Sequence, residues 1–157
     1  MPDTSATGEA AFIDAIKAGE FERVKAMVSA DPTLIDARSR TGESAILTAV
    51  YHRQKEIVNL LVARGASLSL FEACAAGEIE RAERLLADDP QAINAYSADG
   101  WTPLHLAAAN NNLDSMKQLI AQGAEVGAPN GEGRTALSLA QEKNHREAAA
   151  LLRRHGA

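Results

Sequence analysis

The sequence predicts an all-α array of stacked helical pairs. When residues 12–69 are aligned with residues 70–127, 17 positions are identical and no gap is needed. A second register of 33 residues relates the segment that begins at Gly100 to the one that begins at Gly133. Internal periods of this size are typical of repeat proteins, in which each repeat packs on its neighbours. Such an array offers a long binding surface and seldom a catalytic pocket.

The composition limits the classes of function. Apolar residues make up 46% of the chain and charged residues 24%, as in folded proteins, and aromatic residues make up only 4%. The net charge of −5 argues against general binding to nucleic acids or to anionic membranes. Cys74 is the single cysteine, so no intramolecular disulfide can form. Because residues 1–8 lack the features of a secretory signal, we expect a cytoplasmic protein. We also expect a monomer.

The first helical pair follows a short tail. We expect residues 1–8 to be a disordered N-terminal tail and residues 9–157 to form the folded domain. A short first helix ends at Gly19, because glycine is favoured just past a helix C-terminus. Apolar residues then recur at intervals of three and four, which indicates a second helix. Pro32 ends that helix, since the residue before proline avoids the helical region.

The next repeat has an additional turn before its first helix. The residues from Ser39 to Gly42 have turn chemistry, and Arg64 and Gly65 end the second helix of this repeat. The helical pair without the turn and the helical pair with the turn then recur. The last helix contains several Arg and Glu residues, and we interpret it as a polar cap of the array. The predicted repeats cover residues 9–38, 39–69, 70–96, 97–129 and 130–157, of which the first and third lack the turn.

The segment from Asp99 to Ala108 reads D-G-W-T-P-L-H-L-A-A, and with Gly123 and Ala124 at the end of the repeat it resembles the ankyrin repeat. Weaker copies begin at Gly42 and Gly133, and the short repeats resemble the truncated repeats of small bacterial ankyrin proteins. The resemblance implies an ankyrin-repeat solenoid of five stacked helix pairs with short β-turn fingers and two truncated repeats. It also implies a non-catalytic module for protein–protein interaction.

The T-P-L-H segment has its own local chemistry. Thr102 can cap the helix that begins at Pro103, where proline costs no hydrogen bond. The resemblance implies that His105 forms hydrogen bonds to the backbone and to the neighbouring repeat. Leu47 and Ser138 occupy the matching positions, so this link is expected in one repeat alone.

Candidates for catalysis or metal binding are weak. The histidines do not form an i,i+4 pair, and no metal-binding motif is present, so we predict no catalytic residue, no metal and no cofactor. His145 is expected to be structural and His155 to be solvated. Cys74 is interpreted as a small buried hydrophobic residue in preference to a reactive thiol.

The surface implied by the resemblance consists of the turn tips and the exposed face of the first helix of each repeat. Trp101 is the sole tryptophan and lies where the repeat itself needs no large residue, which favours a role in binding. The alternative is that it folds back onto the neighbouring turn. The missing turn of the third repeat predicts a notch flanked by Tyr51 and Trp101. The candidate partner-binding residues are Arg40, Glu43, Tyr51, His52, Asp99, Trp101, Asn110, Arg134 and Lys143.

We therefore expect a protein that binds another protein on the concave face of the array, without nucleic acid and without a membrane. An accessory or regulatory subunit of an enzyme and a small-molecule-binding scaffold remain alternatives. Either would require convergent polar groups around a closed pocket, which the sequence does not indicate.

Overall fold

The computed structural model describes residues 4–157. Over this range the chain is all-α and contains ten α-helices, which confirms the predicted fold class. Two short 3-10 helices, Pro32–Asp36 and Pro90–Asn94, follow the second and sixth α-helices. The α-helices are α1 (Thr4–Ala18), α2 (Phe21–Ala30), α3 (Ala45–Tyr51), α4 (Lys55–Ala63), α5 (Leu70–Ala76), α6 (Ile79–Asp88), α7 (Pro103–Ala109), α8 (Leu113–Ala121), α9 (Ala136–Glu142) and α10 (Arg146–Arg154).

The chain divides into two compact units, residues 1–67 and residues 68–157, which we call the N-terminal unit and the C-terminal unit. In the N-terminal unit, α1 packs on α2 and α3, and α3 packs on α4. In the C-terminal unit, α7 packs between α5 and α9, and each of these inner helices also packs on its own partner helix. Alanines with no exposed surface, such as Ala73, Ala107 and Ala140, line this row and allow the helices to approach closely.

Helix α1 differs from the predicted first helix. It begins at Thr4, so residues 4–8, predicted as part of a tail, lie in a helix, and residues 1–3 lie outside the described residues. It has 15 residues, against 7 in α5, its counterpart in the 58-residue register. Both helices end at a glycine with positive φ, Gly19 or Gly77, so the eight additional residues extend α1 at its N-terminus. This extension, residues 4–11, contains three alanines and no proline, which favours a helix.

The helix breaks predicted at the two Asp-Pro sequences are confirmed. Helices α2 and α6 end directly before Asp31 and Asp89, whose backbones have φ of −136° and −138°, and a separate 3-10 helix begins at each proline. The carboxylate of Asp31 accepts a hydrogen bond from the N–H of Thr33 at 3.0 Å, and Asp89 accepts one from Gln91 at 3.2 Å. These aspartates therefore act as N-caps of the 3-10 helices.

We call the first helix of each repeat (α1, α3, α5, α7 and α9) its inner helix, and four of these five helices end in one backbone pattern. At the end of α3, the N–H of Arg53 donates to the carbonyl of Val50 at 3.0 Å, and the N–H of Gln54 donates to Ala49 at 2.9 Å. This pair of bonds is the Schellman motif, and the same pair closes α1, α7 and α9. It requires a left-handed residue just past the helix.

Glycine fills that left-handed position after α1 and α5, whereas the other inner helices use residues with side chains. Asn111 has φ of 55° and Asn144 has φ of 58°, and asparagine tolerates this region. The turn after α7 is thus formed around Asn111. Arg53 has φ of 57° and none of that tolerance, so its backbone is strained.

Within the described residues 4–157, no helix combines the length and the apolar character needed to cross a membrane.

We predict that Arg53→Gly raises the free energy of unfolding by about 0.5–1 kcal/mol. Glycine removes the cost of the left-handed conformation. Its greater conformational freedom in the unfolded chain offsets part of this gain in stability. Urea denaturation of the full chain measures the change. Asn111→Gly is the control and should give a smaller gain, and an equal or larger gain there would contradict the interpretation.

Candidate interaction surface on the fingers and inner helices

Three five-residue turns precede α3, α7 and α9, and we call them finger 1 (residues 39–43), finger 2 (residues 97–101) and finger 3 (residues 130–134). In finger 1, the N–H of Ser39 donates to the carbonyl of Glu43 at 2.8 Å, and Gly42 donates back to Ser39 at 2.9 Å. Gly42 has φ of 85°, which closes the turn. A short antiparallel bridge between Arg38 and Ser44 joins the two ends of this turn.

In each finger, the side chain of the first residue accepts a hydrogen bond from the backbone N–H of the fifth residue. The Ser39 hydroxyl accepts a hydrogen bond from the N–H of Glu43 at 3.1 Å. Ser97 accepts from Trp101 at 3.1 Å in finger 2, and Asn130 accepts from Arg134 at 2.9 Å in finger 3. The fifth position of each finger, directly before the helix cap, therefore holds a predicted binding residue: Glu43, Trp101 or Arg134.

Fingers 2 and 3 are in direct contact. The N–H of Gly131 donates to the carbonyl of Gly100 at 2.9 Å, and the Tyr96 hydroxyl donates to the carbonyl of Pro129 at 3.0 Å. A Cβ atom on Gly100 would lie 2.8 Å from the backbone of Gly131, too close for any side chain. The backbones of the two fingers are therefore adjacent, and their side chains form one surface.

His105 connects finger 3 to the cap of α7. Its Nε2 lies 3.0 Å from the carbonyl oxygen of Arg134, and its Nδ1 lies 2.7 Å from the Thr102 hydroxyl. A carbonyl can only accept, so Nε2 carries the proton and Nδ1 of the neutral ring accepts from Thr102. The imidazole is almost fully buried, and burial lowers the pKa of His105 even though the Arg134 carbonyl favours the proton. The link expected from the T-P-L-H resemblance is thus confirmed.

Trp101 is half-buried and rests against His105. The two ring centroids are 6.2 Å apart and the planes meet at 75°, which is an edge-to-face arrangement. Part of the indole covers the histidine and part remains exposed. The residue therefore has both a packing contact in its own repeat and a surface that a partner can reach.

Arg134 is neutralised by its own repeat. Its Nη2 lies 2.9 Å from a carboxylate oxygen of Glu132, and its Nη1 lies 2.5 Å from one of Glu142. Both glutamates are exposed, so the group of three has a net charge of −1 and presents carboxylates to solvent. The sequence predicted Arg134 as a partner-binding residue, and the structure holds its guanidinium between two acids.

The other predicted residues of the C-terminal unit lie at both ends of the inner helices. Asp99 is exposed in finger 2. Asn110 and Lys143 follow the last residues of α7 and α9, and the Asn110 amide donates to the carbonyl of Leu106 at 2.8 Å. A seven-residue helix is about 10 Å long, so Asp99 and Asn110 delimit a surface of roughly that length.

The N-terminal unit has the same arrangement around α3. Arg40 and Glu43 lie in finger 1, and Tyr51 and His52 lie at the other end of α3. The side chain of Tyr51 is 46% exposed. The notch predicted between Tyr51 and Trp101 involves residues of different units and stays a prediction.

Sequence reasoning missed a second link between repeats. The Asn112 amide donates to the carbonyls of Cys74 and Ala75 at 2.7 and 2.8 Å, and the ring of His145 bonds to the carbonyl of Ala108 at 3.1 Å. Asn112 and His145 are separated by 33 residues, the length of one full repeat, so they hold equivalent positions. This spacing is the feature of the sequence that could have indicated the second link. The expected structural role of His145 is confirmed.

Cys74 has no exposed surface, and burial raises the pKa of its thiol to about 12. The thiol therefore stays protonated at neutral pH, in line with its interpretation as a buried hydrophobic residue. In the part of the chain that the structure describes, no group of three or more His, Cys, Asp or Glu side chains could hold a metal ion.

Comparison with known proteins identifies the family. Residues 70–157 match the family model described as "Ankyrin repeats (3 copies)", and the chain belongs to the ankyrin repeat family. It is similar to Alpha-latrocrustotoxin-Lt1a of Latrodectus tredecimguttatus, with 29% identity over 139 residues that cover 83% of this chain and 10% of the toxin. It is also similar to the putative ankyrin repeat protein FPV240 of Fowlpox virus, with 37% identity over 99 residues, 57% of this chain and 24% of that protein.

A third relative is Protein phosphatase 1 regulatory subunit 27 of Mus musculus, with 29% identity over 122 residues, 78% of this chain and 63% of the relative. The chain thus spans between 10% and 63% of the length of these three proteins. None of the three is bacterial, so the bacterial character expected from the short repeats stays a prediction.

We predict that Gly100→Ala lowers the free energy of unfolding by about 2–3 kcal/mol. The alanine meets both the cost of a positive φ, about 1–2 kcal/mol, and the backbone of Gly131. Gly133→Ala is the matched control, because its φ of 77° is nearly the same as the 78° of Gly100 but a Cβ there meets no atom within 4 Å. Urea denaturation compares the two variants, and equal losses would show that the contact between the fingers contributes nothing.

We predict that His105 makes stability fall at mildly acidic pH. Because burial lowers its pKa in the folded state, the unfolded chain binds more protons below the ordinary value of about 6.5. The contribution is fully present above about pH 6.5 and is lost as pH falls from there toward the lowered folded pKa. Urea denaturation between pH 5 and 8 should show a flatter profile for His105→Gln than for wild type. A profile of His105→Gln as steep as that of wild type would contradict this interpretation.

Proposed function

We propose that this chain is a non-catalytic interaction module that binds another protein through its fingers and the exposed parts of its inner helices. Ankyrin repeats generally serve as protein-binding modules, which supports the proposal at the level of the family. The residues proposed to contact the partner are Arg40, Glu43, Tyr51 and His52 of the N-terminal unit and Asp99, Trp101, Asn110, Arg134 and Lys143 of the C-terminal unit.

The orientation of Trp101 carries the proposal. The buried His105 ring holds the indole edge-to-face, and His105 is itself fixed by Thr102 and the carbonyl of Arg134. An aromatic side chain that is already ordered loses little conformational entropy on binding. Tryptophan is also among the residues most enriched at the energetic centres of protein interfaces. Trp101 is thus suited to anchor a partner.

Charged side chains lie on the fingers and inner helices of the same unit as this anchor. Asp99 and Lys143 are exposed and form no ion pair among the described residues, while Arg134 is held between Glu132 and Glu142. Charges of this kind at the rim of an interface favour specificity and fast association more than affinity. Mixed charge and the net −5 support a protein partner in preference to nucleic acid or an anionic membrane.

The second candidate is a regulatory or accessory subunit of an enzyme. One relative is named as a regulatory subunit of protein phosphatase 1, and another, with 33% identity over 92 residues, is the human ARF GTPase-activating protein GIT1. The matched segment is 12% of GIT1, so its activity does not carry over. The same finger surface would then contact an enzyme.

The proposal includes a monomer in the cytoplasm, where the unpaired Cys74 would stay reduced.

Affinity capture from lysate of the native cell, read by quantitative mass spectrometry, tests the proposal. We expect wild type to recover a defined protein and Trp101→Ala to recover at least about tenfold less of it, since anchor residues contribute 2 kcal/mol or more. Identifying the recovered protein separates an enzyme partner from a non-enzymatic one.

Glu147→Ala is the control, because Glu147 is exposed on α10 and away from the fingers. It should recover the partner as wild type does. Thermal denaturation verifies that Trp101→Ala remains folded. Equal recovery by wild type and the Trp101→Ala, Tyr51→Ala double variant would contradict the proposed surface.

A further inference from the structure

The N-terminal unit contains a groove that the 58-residue alignment of the two halves of the sequence does not predict. The groove has a volume of about 760 Å³ and lies between α1 and finger 1. We propose that it binds an extended segment of the partner protein in which acidic side chains alternate with small apolar ones. This inference rests on the proposed function and assigns it a second contact point, separate from Trp101.

The groove exists because α1 is long. The repeat register aligns Phe12 with Leu70, where α5 begins, and the extension of α1 precedes that point. Ala10 belongs to the extension and lines the groove together with Ile13, whose side chain is 2% exposed. Finger 1 forms the opposite wall. The eight additional residues of α1 thus form a wall in a repeat that has no finger of its own.

The groove presents positive charge that the protein does not neutralise, from Lys17 on the α1 wall and from Arg38 and Arg40 at the finger wall. Lys17 and Arg40 form no ion pair with any carboxylate in residues 4–157. The Arg38 guanidinium donates to the carbonyl of Gly42 at 2.9 Å and is likewise without a carboxylate partner in that range. The groove therefore has three cations available to a ligand.

Backbone donors add to this charge. In the described structure, the N–H groups of Arg40 and Thr41 at the tip of finger 1 donate to no protein acceptor. A carboxylate can accept hydrogen bonds from such N–H groups and from arginine, and these charge-assisted bonds are the strong ones. The chemistry of this wall therefore selects an acidic side chain.

The α1 wall limits how much acid the ligand can carry. Glu9 and Asp14 line the groove on this side and repel a uniformly acidic chain. Between them, the half-exposed Ala10 provides a small apolar surface, whereas Ile13 is buried. In an extended peptide, alternate side chains point in opposite directions, so one set can face finger 1 while the other contacts Ala10. Acidic residues alternating with small apolar ones satisfy both walls.

An NMR titration of the full chain with a synthetic peptide tests the groove. The probe is an acetylated heptapeptide of alternating aspartate and alanine, and the control peptide replaces each aspartate by asparagine. We expect amide shifts at Ala10, Ile13 and Thr41 and at least about tenfold weaker binding of the control peptide.

The protein variants are Arg40→Glu and Lys25→Glu. Both reverse one exposed charge that forms no ion pair among the described residues, but Lys25 lies on α2 and does not line the groove. Arg40→Glu should weaken peptide binding by about tenfold or more and Lys25→Glu by no more than about twofold, with both variants folded by circular dichroism. Shifts outside the groove, equal effects of the two variants, or no binding at about 1 mM peptide would overturn the proposal.

Capture of the native partner separates this inference from the proposed function. Loss of capture with both Trp101→Ala and Arg40→Glu supports two contact points. Loss with Trp101→Ala but full recovery with Arg40→Glu would overturn the groove and leave the proposed function intact. Full recovery with Trp101→Ala but loss with Arg40→Glu would overturn the surface around Trp101 and support the groove.

Discussion

The C-terminal unit depends on the hydrogen bond between His105 and the carbonyl of Arg134. The bond fixes the tautomer of the imidazole, so that the other nitrogen accepts from Thr102 at the cap of α7. One side chain thereby joins a helix start in one repeat to the finger of the next. The orientation of Trp101 follows, because the indole rests on that ring. A structural histidine thus orients the residue that we propose as the binding anchor.

Contact between repeats is duplicated at the far end of the inner helices. Asn112 bonds to the last turn of α5, and His145 bonds to that of α7, so α7 and α9 are joined near both ends and α5 and α7 near one. The buried alanines between these two sets of bonds let the helices lie close together. The side chains proposed for binding lie outside this row, on the fingers and just past the ends of the inner helices.

Much of the fold could be predicted from the sequence, because the signals were local or repeated. Thr102 and Pro103 mark a helix start, and Gly19 marks a helix end, by backbone chemistry that does not depend on distant residues. The ion pairs of Arg134 were not predictable, since Glu142 approaches it only when α9 follows finger 3. The length of α1 was missed because the small polar residues near the N-terminus carry no hydrophobic period, although alanine supports a helix.

The extension of α1 replaces a hairpin by a helix. Beyond its first turn a helix satisfies its own N–H and C=O groups, so it meets a ligand with side chains alone. A finger has an open tip at which backbone N–H groups remain available. The two walls of the groove therefore differ in kind, because one presents side chains alone and the other also presents backbone N–H groups. Truncation of the first repeat thus gave the groove a polarity that a space between two fingers would lack.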